Sequence, residues 1–187
     1  EPAMVKSAEE QEAVRRSAAA AEAAVATIVR FARAPAKTQA DIWFPTYMAM
    51  FAETGEDPTR LSIALDEASN STLGAPVDNP LKEGQIISQE IDATVQGYRA
   101  QVNHSIFVGA PSTPGYSYYK TAMEVAIGVL QDSIALIVPG KTTCGQLVDH
   151  YAALVEKANA DDRSGVVLHG SGISNLSRPR LGPSNSP

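Results

Sequence analysis

The chain has 187 residues, of which 44% are hydrophobic and 19% are charged. This composition is typical of a globular protein with a sizeable core, and it excludes a disordered or fibrous chain. The formal net charge of -6 argues against nucleic-acid binding, since such proteins attach to phosphates through clustered Lys and Arg side chains. The longest apolar stretch, 122–138, is interrupted by Glu124, Gln131 and Asp132, so we expect no membrane span.

The cysteine content and the N-terminus bear on where the protein resides. The single Cys144 cannot form an internal disulfide, which fits a reducing compartment. The first residues contain no basic region followed by an apolar stretch, so no signal peptide is visible. We therefore expect a cytoplasmic protein, and the length predicts one domain over residues 1–187.

The first half begins with two predicted helices. Ser7 and Glu10 form a capping-box pattern, and Pro35 ends the helix that follows. Apolar residues spaced by three and four predict its buried face. They are Val14, Ala18, Ala21, Val25, Ile28 and Ala32.

A second capping pattern at Thr38 and Asp41 predicts a helix over Ile42–Glu53. Pro45 is tolerated because it falls in the early turns of that helix. Gly55 ends the helix, and Leu61–Leu65 reads as a short strand.

A β-hairpin is predicted in the middle of the chain, with strands Ile86–Val95 and Tyr98–Val108. Gln96 and Gly97 form the tight turn between them. If Val95 pairs with Tyr98, the register is fixed along both strands.

That register gathers polar side chains on one face of the hairpin, because strand residues alternate between faces. Asp92 is then opposite Gln101, and Glu90 is opposite Asn103. Two interpretations remain open: a solvated face of an amphipathic hairpin, or a pocket lined by acids that binds a cation or holds a proton.

The second half repeats the pattern of the first. A helix is predicted over Thr113–Ile137, and another over Gln146–Lys157, with a possible capping box between Thr143 and Gln146. Gly165–His169 then reads as a strand that enters a glycine-rich turn. His169 is the strongest histidine candidate, as either a structural or a catalytic residue.

The two halves also share a sequence motif, P-x-K-T, at Pro35–Thr38 and Pro139–Thr142, which lie 104 positions apart. The offset predicts an internal duplication, with a first repeat over about 7–109 and an incomplete second repeat over about 111–187. Residues 182–187 read as a loop or tail. The alternative is that two helical hairpins use similar caps by chance.

Applied to 85–108, the same offset places a partner hairpin at 189–212, beyond the last residue. Either the second half has lost this hairpin or the chain is part of a longer one, and we expect the latter because an unpaired sheet edge is a liability.

The order of these motifs resembles the creatinase, Xaa-Pro aminopeptidase and prolidase family, peptidase family M24. The similar segments are Lys6–Glu10, Leu81–Ile87, Gly97–Tyr98, Phe107–Gly109, Pro139–Thr142, and His169–Gly172 with Pro179 after it. The resemblance implies the α+β pita-bread fold, in which duplicated α-α-β-β units form a curved antiparallel sheet covered by helices. By this resemblance, we expect the last hairpin of that fold to lie beyond residue 187.

The resemblance also identifies altered metal-ligand positions. Metal-dependent members carry aspartates where this chain has Glu90 and Gln101, whereas the histidine ligand is retained as His169. Two further glutamate ligands would lie on that last hairpin. Because a carboxamide is a poor bridging ligand, we expect no metal cofactor. The alternative is a divalent ion, Mn, Co, Zn or Fe.

By resemblance, the chain is a hydrolase of a C–N bond (amide, peptide or amidino) in which His169 is the general acid or base. Glu90, Asp92, Gln101 and Asn103 would hold a small-molecule or short-peptide substrate. Arg178 would clamp a substrate carboxylate, or else it is a solvated loop arginine. A homodimer is implied. Two alternatives stay open: an inactive pseudoenzyme that binds a protein partner, and a metal-dependent Xaa-Pro dipeptidase or aminopeptidase with atypical ligands.

Overall fold

The structure, a computed structural model, describes residues 5–33, 38–65, 79–160, 168–173 and 177–182. Pairs of helices alternate with groups of strands in this part of the chain, and an antiparallel sheet with packed helices confirms the predicted α+β class. The elements in order are α1 (Ala8–Arg33), α2 (Gln39–Thr54), β1 (Arg60–Leu65), β2 (Ile86–Val95), β3 (Tyr98–Asn103), β4 (Ile106–Phe107), α3 (Tyr116–Leu136), α4 (Cys144–Lys157), β5 (Leu168–Gly170) and β6 (Ser177–Leu181).

The chain divides into two compact units. The first consists of Glu1–Ser117 and Ser171–Asn175, and the second of Tyr118–Gly170 and Leu176–Pro187. Helix α4 begins at residue 144 and α2 at residue 39, so the second helix of each half recurs close to the predicted offset. The first copy of the P-x-K-T motif lies largely outside the described residues, and so does the tail after Gly182.

Helix α1 begins after the predicted capping box, in which the Ser7 amide donates to Glu10 Oε2 at 2.6 Å. Its buried face follows a stripe of small residues that differs in part from the prediction. The stripe is Ala13, Ser17, Ala20, Ala21, Ala24, Ile28 and Ala32. Val14, Ala18 and Val25 are half-buried instead, because alanines occur all around this helix and the small stripe allows the closest approach to the sheet.

Helix α2 has the predicted cap residue at each end, although it runs over Gln39–Thr54 and so extends beyond the predicted Ile42–Glu53. Thr38 accepts from the Asp41 amide and Asp41 accepts from the Thr38 amide, which completes the capping box. Gly55, at φ 72°, ends the helix in the left-handed conformation. Its buried face includes Ile42 and Met50.

The opposite face of α2 is apolar as well. Phe44, Met48 and Phe51 are exposed there, and the ring of Tyr47 stacks on that of Trp43 at a centroid distance of 5.5 Å. An apolar residue therefore points outward at several turns of this helix.

The sheet of the first unit is antiparallel, with β2 between β1 on one side and β3 on the other. Val95 pairs with Tyr98, Asp92 with Gln101, and Glu90 with Asn103, which confirms the predicted register. The predicted second strand is interrupted, however, since β3 ends at Asn103 and β4 pairs separately with the start of β2.

One face of this sheet packs on α1 and α2 to form the main core. Ile87, Ile91 and Ala93 of β2 are the strand residues at its centre, and each is at most 1% exposed. At the hairpin end, Ser17 of α1 donates to the carbonyl oxygen of Tyr98 at 2.8 Å. The hairpin is therefore fixed to α1 by both packing and a hydrogen bond.

The second unit contains most of α3, together with α4 and the β5–β6 pair. The predicted capping box of Thr143 and Gln146 is present at α4. Strand β6 was not predicted, and residues 165–167 of the predicted strand before His169 lie outside the described part of the chain. None of the described helices combines the length and apolarity that a bilayer span requires.

A stability test follows from the turn of the central hairpin. Gln96 has φ 52° and Gly97 φ 80°, the pattern of a type I′ turn. Because Asn tolerates the left-handed region better than Gln, we expect Gln96→Asn to raise the free energy of unfolding by about 0.5 kcal/mol. Gln96→Val should lower it by about 1 kcal/mol, because β-branched residues are disfavoured there. Urea unfolding checks both, and a stabilising Val would contradict the turn geometry.

Candidate functional site

The candidate site lies on the face of the central sheet that points away from α1. Alternation along β2 places Glu90 and Asp92 on this face, because Ile87 and Ile91 occupy the other. Neighbouring strands add Arg60 from β1 and Arg99 and Gln101 from β3. We call these five side chains, Arg60, Glu90, Asp92, Arg99 and Gln101, the polar face.

Glu90 is held by two donors. Arg60 Nη1 lies 2.6 Å from Glu90 Oε1, and Gln101 Nε2 donates to the same oxygen at 2.5 Å. Both donors are diagonal neighbours across the strands, since Arg60 and Gln101 are each in register with Asp92. The Glu90 side chain is 18% exposed, so this carboxylate is largely shielded from water.

Asp92 is buried more deeply. Its side chain is 1% exposed, and Arg99 Nη1 lies 3.9 Å from Asp92 Oδ2. Arg99 is in register with Thr94, so it too reaches its acid diagonally. The burial of Glu90 and Asp92 favours a covered polar cluster over a solvated hairpin face.

The glycine-rich segment after His169 is attached to β3. Ser171 Oγ donates to the Arg99 carbonyl oxygen at 3.0 Å, and the Arg99 amide donates to the Gly172 carbonyl oxygen at 3.2 Å. These bonds belong to the first unit, and they fix the backbone on either side of the Arg99 side chain.

His169 belongs to the second unit, in β5, where it is in register with Arg180 of β6. Its Nδ1 lies 2.9 Å from the carbonyl oxygen of Gly170. Because a carbonyl oxygen only accepts, this contact places the proton on Nδ1 and the lone pair of the neutral ring on Nε2.

The remaining predicted site residues are placed less centrally. Asn103 is opposite Glu90 in the register, as predicted, but it is exposed at the end of β3, and Glu90 Oε1 is bonded to Arg60 and Gln101. The backbone of Arg178 lies in β6, and its side chain is outside the described residues. The structure therefore brings Glu90 and Gln101 into contact and holds Asp92 on the same face.

Sequence reasoning missed Arg60 and Arg99. Arg60 directly precedes the predicted strand Leu61–Leu65, and Arg99 lies within a predicted strand. The signal that identifies them is the register itself, because it places an arginine two positions from each acid on the neighbouring strand.

The donor set of the polar face does not fit a divalent metal ion. Two N–H donors already occupy Oε1 of Glu90, and Gln101 directs its amide nitrogen, not its oxygen, at that atom. Divalent ions bind anionic or neutral oxygen and imidazole nitrogen, not cationic N–H groups. Across the described residues, no group of three or more His, Cys, Asp and Glu side chains is arranged to hold a metal ion.

The family model for metallopeptidase family M24 matches residues 12–186. The chain belongs to this family. A comparison with curated proteins finds no match.

Solved structures confirm the pita-bread fold of the family. The X-Pro aminopeptidase from Thermotoga maritima MSB8 is 19% identical, with a TM-score of 0.79, over 97% of this chain and 50% of its own. The prolidase from Pyrococcus horikoshii OT3 is 19% identical, with a TM-score of 0.79, over 97% and 51%. The Xaa-Pro dipeptidase from Bacillus anthracis is 17% identical, with a TM-score of 0.75, over 97% and 50%. The chain thus spans about half the length of these M24 structures.

The buried Asp92 generates a prediction about stability. Arg99→Met removes the cation nearest to a carboxylate that stays buried, so we expect the free energy of unfolding to fall by roughly 2–3 kcal/mol. Asp92→Asn in the same background should recover part of this loss, because the buried side chain that has lost Arg99 is then neutral. The matched control is Arg15→Met in the exposed Arg15–Glu12 pair, where we expect a change below about 0.5 kcal/mol. Equal losses at both sites in urea unfolding would contradict the role of burial.

His104, between β3 and β4, makes stability depend on pH. Burial lowers the pKa of His104 from its ordinary value of 6.5, so the unfolded chain binds this proton more tightly than the folded chain does. The contribution of neutral His104 to the free energy of unfolding is fully present above pH 6.5, and it is lost as the pH falls from there toward the lowered pKa.

His104→Gln should therefore make the free energy of unfolding less dependent on pH between 7.5 and 5.5. Denaturant unfolding at both pH values measures this difference, and the value at the higher pH gives the cost of the substitution itself. An unchanged pH dependence would show that protonation of His104 does not destabilise the fold.

Proposed function

We propose that this chain is the catalytic part of a hydrolase that cleaves a C–N bond without a metal ion. His169 is the general acid and base, and the polar face binds the substrate. The observation that carries the proposal is the occupied Glu90 oxygen. Arg60 and Gln101 hold this carboxylate, at a position where metal-dependent members of the family have an aspartate ligand. The histidine of the glycine-rich motif, His169, is retained.

The proton chemistry follows from the ring contact of His169. With Nδ1 donating to the Gly170 carbonyl oxygen, Nε2 takes a proton from water as the water oxygen bonds to the carbon of the C–N bond. The same proton then passes to the leaving nitrogen as the C–N bond breaks. The histidine is regenerated, and neither oxidation nor reduction occurs. A well-placed imidazole contributes roughly 10²–10⁴ in rate.

The polar face suits a small polar substrate. Arg60 and Arg99 supply N–H donors, and the side chains of both are partly exposed, at 33% and 22%. Glu90 supplies an acceptor for an amide or amidino group, and Asp92, whose side chain is buried, holds Arg99 in place. Since the structural neighbours are an X-Pro aminopeptidase, a prolidase and an Xaa-Pro dipeptidase, short Xaa-Pro peptides are the first substrates to test, followed by amidino compounds. Asn103 and Arg178 are proposed as further substrate contacts.

We also propose that the protein works in the cytoplasm as a homodimer. The family resemblance supports the dimer, and the single cysteine supports the compartment. Analytical ultracentrifugation measures the first property and fractionation of cells the second.

A second candidate function is a pseudoenzyme that binds a protein partner. The observation that favours it is the charge balance of the polar face, in which two arginines offset two carboxylates and leave no site for a metal ion. The two candidates differ in one respect: the enzyme requires His169, whereas a binding module does not.

The decisive variant is His169→Gln, which keeps a polar side chain and removes the base. We expect kcat/KM to fall by about 10²–10⁴ on whichever Xaa-Pro peptide or amidino compound the native chain cleaves. His150→Gln in α4 is the matched control, because it removes another half-buried histidine of the second unit, and its activity should be retained.

A chelator should leave the activity unchanged. Inhibition that added Mn²⁺ reverses would overturn the metal-independent mechanism. Full activity of His169→Gln would overturn the catalytic role, and no turnover of any compound by the native chain would favour the pseudoenzyme.

A further inference from the structure

We propose that Arg60 is a built-in cation that takes the place of a divalent metal ion at Glu90 and excludes such an ion from the polar face. The guanidinium neutralises the carboxylate and fixes its orientation, so Arg60 is a positioning residue. The inference deepens the metal-independent part of the proposed function and rests on it, but its test measures metal binding.

One carboxylate oxygen of Glu90 is already occupied by two donors. Glu90 Oε1 accepts from Arg60 Nη1 at 2.6 Å and from Gln101 Nε2 at 2.5 Å. Two donors at these distances use both lone pairs of that oxygen. A metal ion bound through this oxygen would therefore have to displace Arg60 or Gln101.

The charges of the polar face are balanced without a metal ion. Arg60 and Arg99 carry two positive charges, and Glu90 and Asp92 carry two negative charges, so the cluster is balanced as it stands. A divalent ion would add two uncompensated positive charges next to a guanidinium in a largely shielded environment. Like charges repel most strongly where water does not screen them.

The pairing of β1 with β2 fixes the position of Arg60. Arg60 is the first residue of β1, and an unbroken register of six residue pairs, from Arg60–Asp92 to Leu65–Ile87, fixes β1 against β2. The guanidinium reaches Glu90 diagonally along the same face. Arg60 therefore cannot leave Glu90 by a register shift without moving the core residues of β1 to the wrong face.

The test asks whether removing Arg60 creates metal affinity. Gln101→Asp supplies the second carboxylate that metal-dependent relatives have at this position, and Arg60→Met removes the cation. We expect the wild type and Gln101→Asp to bind Mn²⁺ weakly, and the double variant Arg60→Met/Gln101→Asp to bind it at least about 10-fold more tightly than Gln101→Asp. Titration calorimetry and the electron paramagnetic resonance signal of Mn²⁺ give the affinities.

Three matched controls test whether the gain in Mn²⁺ affinity comes from the loss of the Arg60 charge at Glu90. Arg60→Lys/Gln101→Asp keeps the positive charge and should show no gain. Arg99→Met/Gln101→Asp removes the other arginine of the polar face but leaves Arg60 on the Glu90 oxygen. Its Mn²⁺ affinity should therefore rise less than that of Arg60→Met/Gln101→Asp. Adding Glu90→Gln to Arg60→Met/Gln101→Asp should abolish the gain, because it removes the carboxylate that Arg60 had covered.

Circular dichroism and thermal melting show whether each variant folds. If Arg60→Met does not fold, Arg60→Gln serves the same purpose with a polar side chain. An unfolded Arg60→Met that is restored by Glu90→Gln supports the pairing, and one that is not restored contradicts it.

Equal Mn²⁺ affinity with and without Arg60 would overturn the inference, and so would tight binding by the wild type that Glu90→Gln abolishes. If the metal affinities fail to change while His169→Gln still removes activity, only the role of Arg60 is lost. If His169→Gln is active while Arg60 controls metal binding as expected, the catalytic assignment of His169 fails and the role of Arg60 stands.

Discussion

The structure of the first unit depends on the alternation of side chains along β2. Ile87 and Ile91 point into the core on α1, and Glu90 and Asp92 point to the opposite face. A slip of one residue in the pairing would exchange the two sets and bury both carboxylates against the alanine-rich helix. The turn at Gln96 and Gly97 prevents this slip, because a two-residue type I′ turn permits one register only.

Much of this architecture could be predicted from residues that act locally. Thr38 and Thr143 cap helices through their own side chains, and Gln96–Gly97 sets the hairpin, so both helix starts and the strand register follow from short segments. The shared face of Glu90 and Gln101 followed from that register. The family could also be inferred from the order of the motifs, because that order spans almost the whole chain.

Other features depend on contacts that a sequence does not display. Arg60 and Arg99 meet their acids diagonally, so the pairing depends on side-chain reach, not on the residue directly opposite. The buried stripe of α1 was displaced because alanine occurs on several faces of that helix, which makes the apolar period ambiguous. Strand β6 was missed because Pro179 lies within it, and proline argues against a strand.

The alanine stripe on α1 links the two sides of the sheet. Small side chains let the helix backbone lie close to β2 and β3, and Ser17 uses that closeness to reach the Tyr98 carbonyl oxygen. The position of β3, which carries Arg99 and Gln101, is therefore fixed by its contacts with α1 on the opposite face of the sheet. A single enlarged residue in the stripe would lift that strand and loosen the guanidinium and carboxamide contacts on its far side. Substitutions in the small-residue stripe of α1 can thus alter the polar face without contacting it.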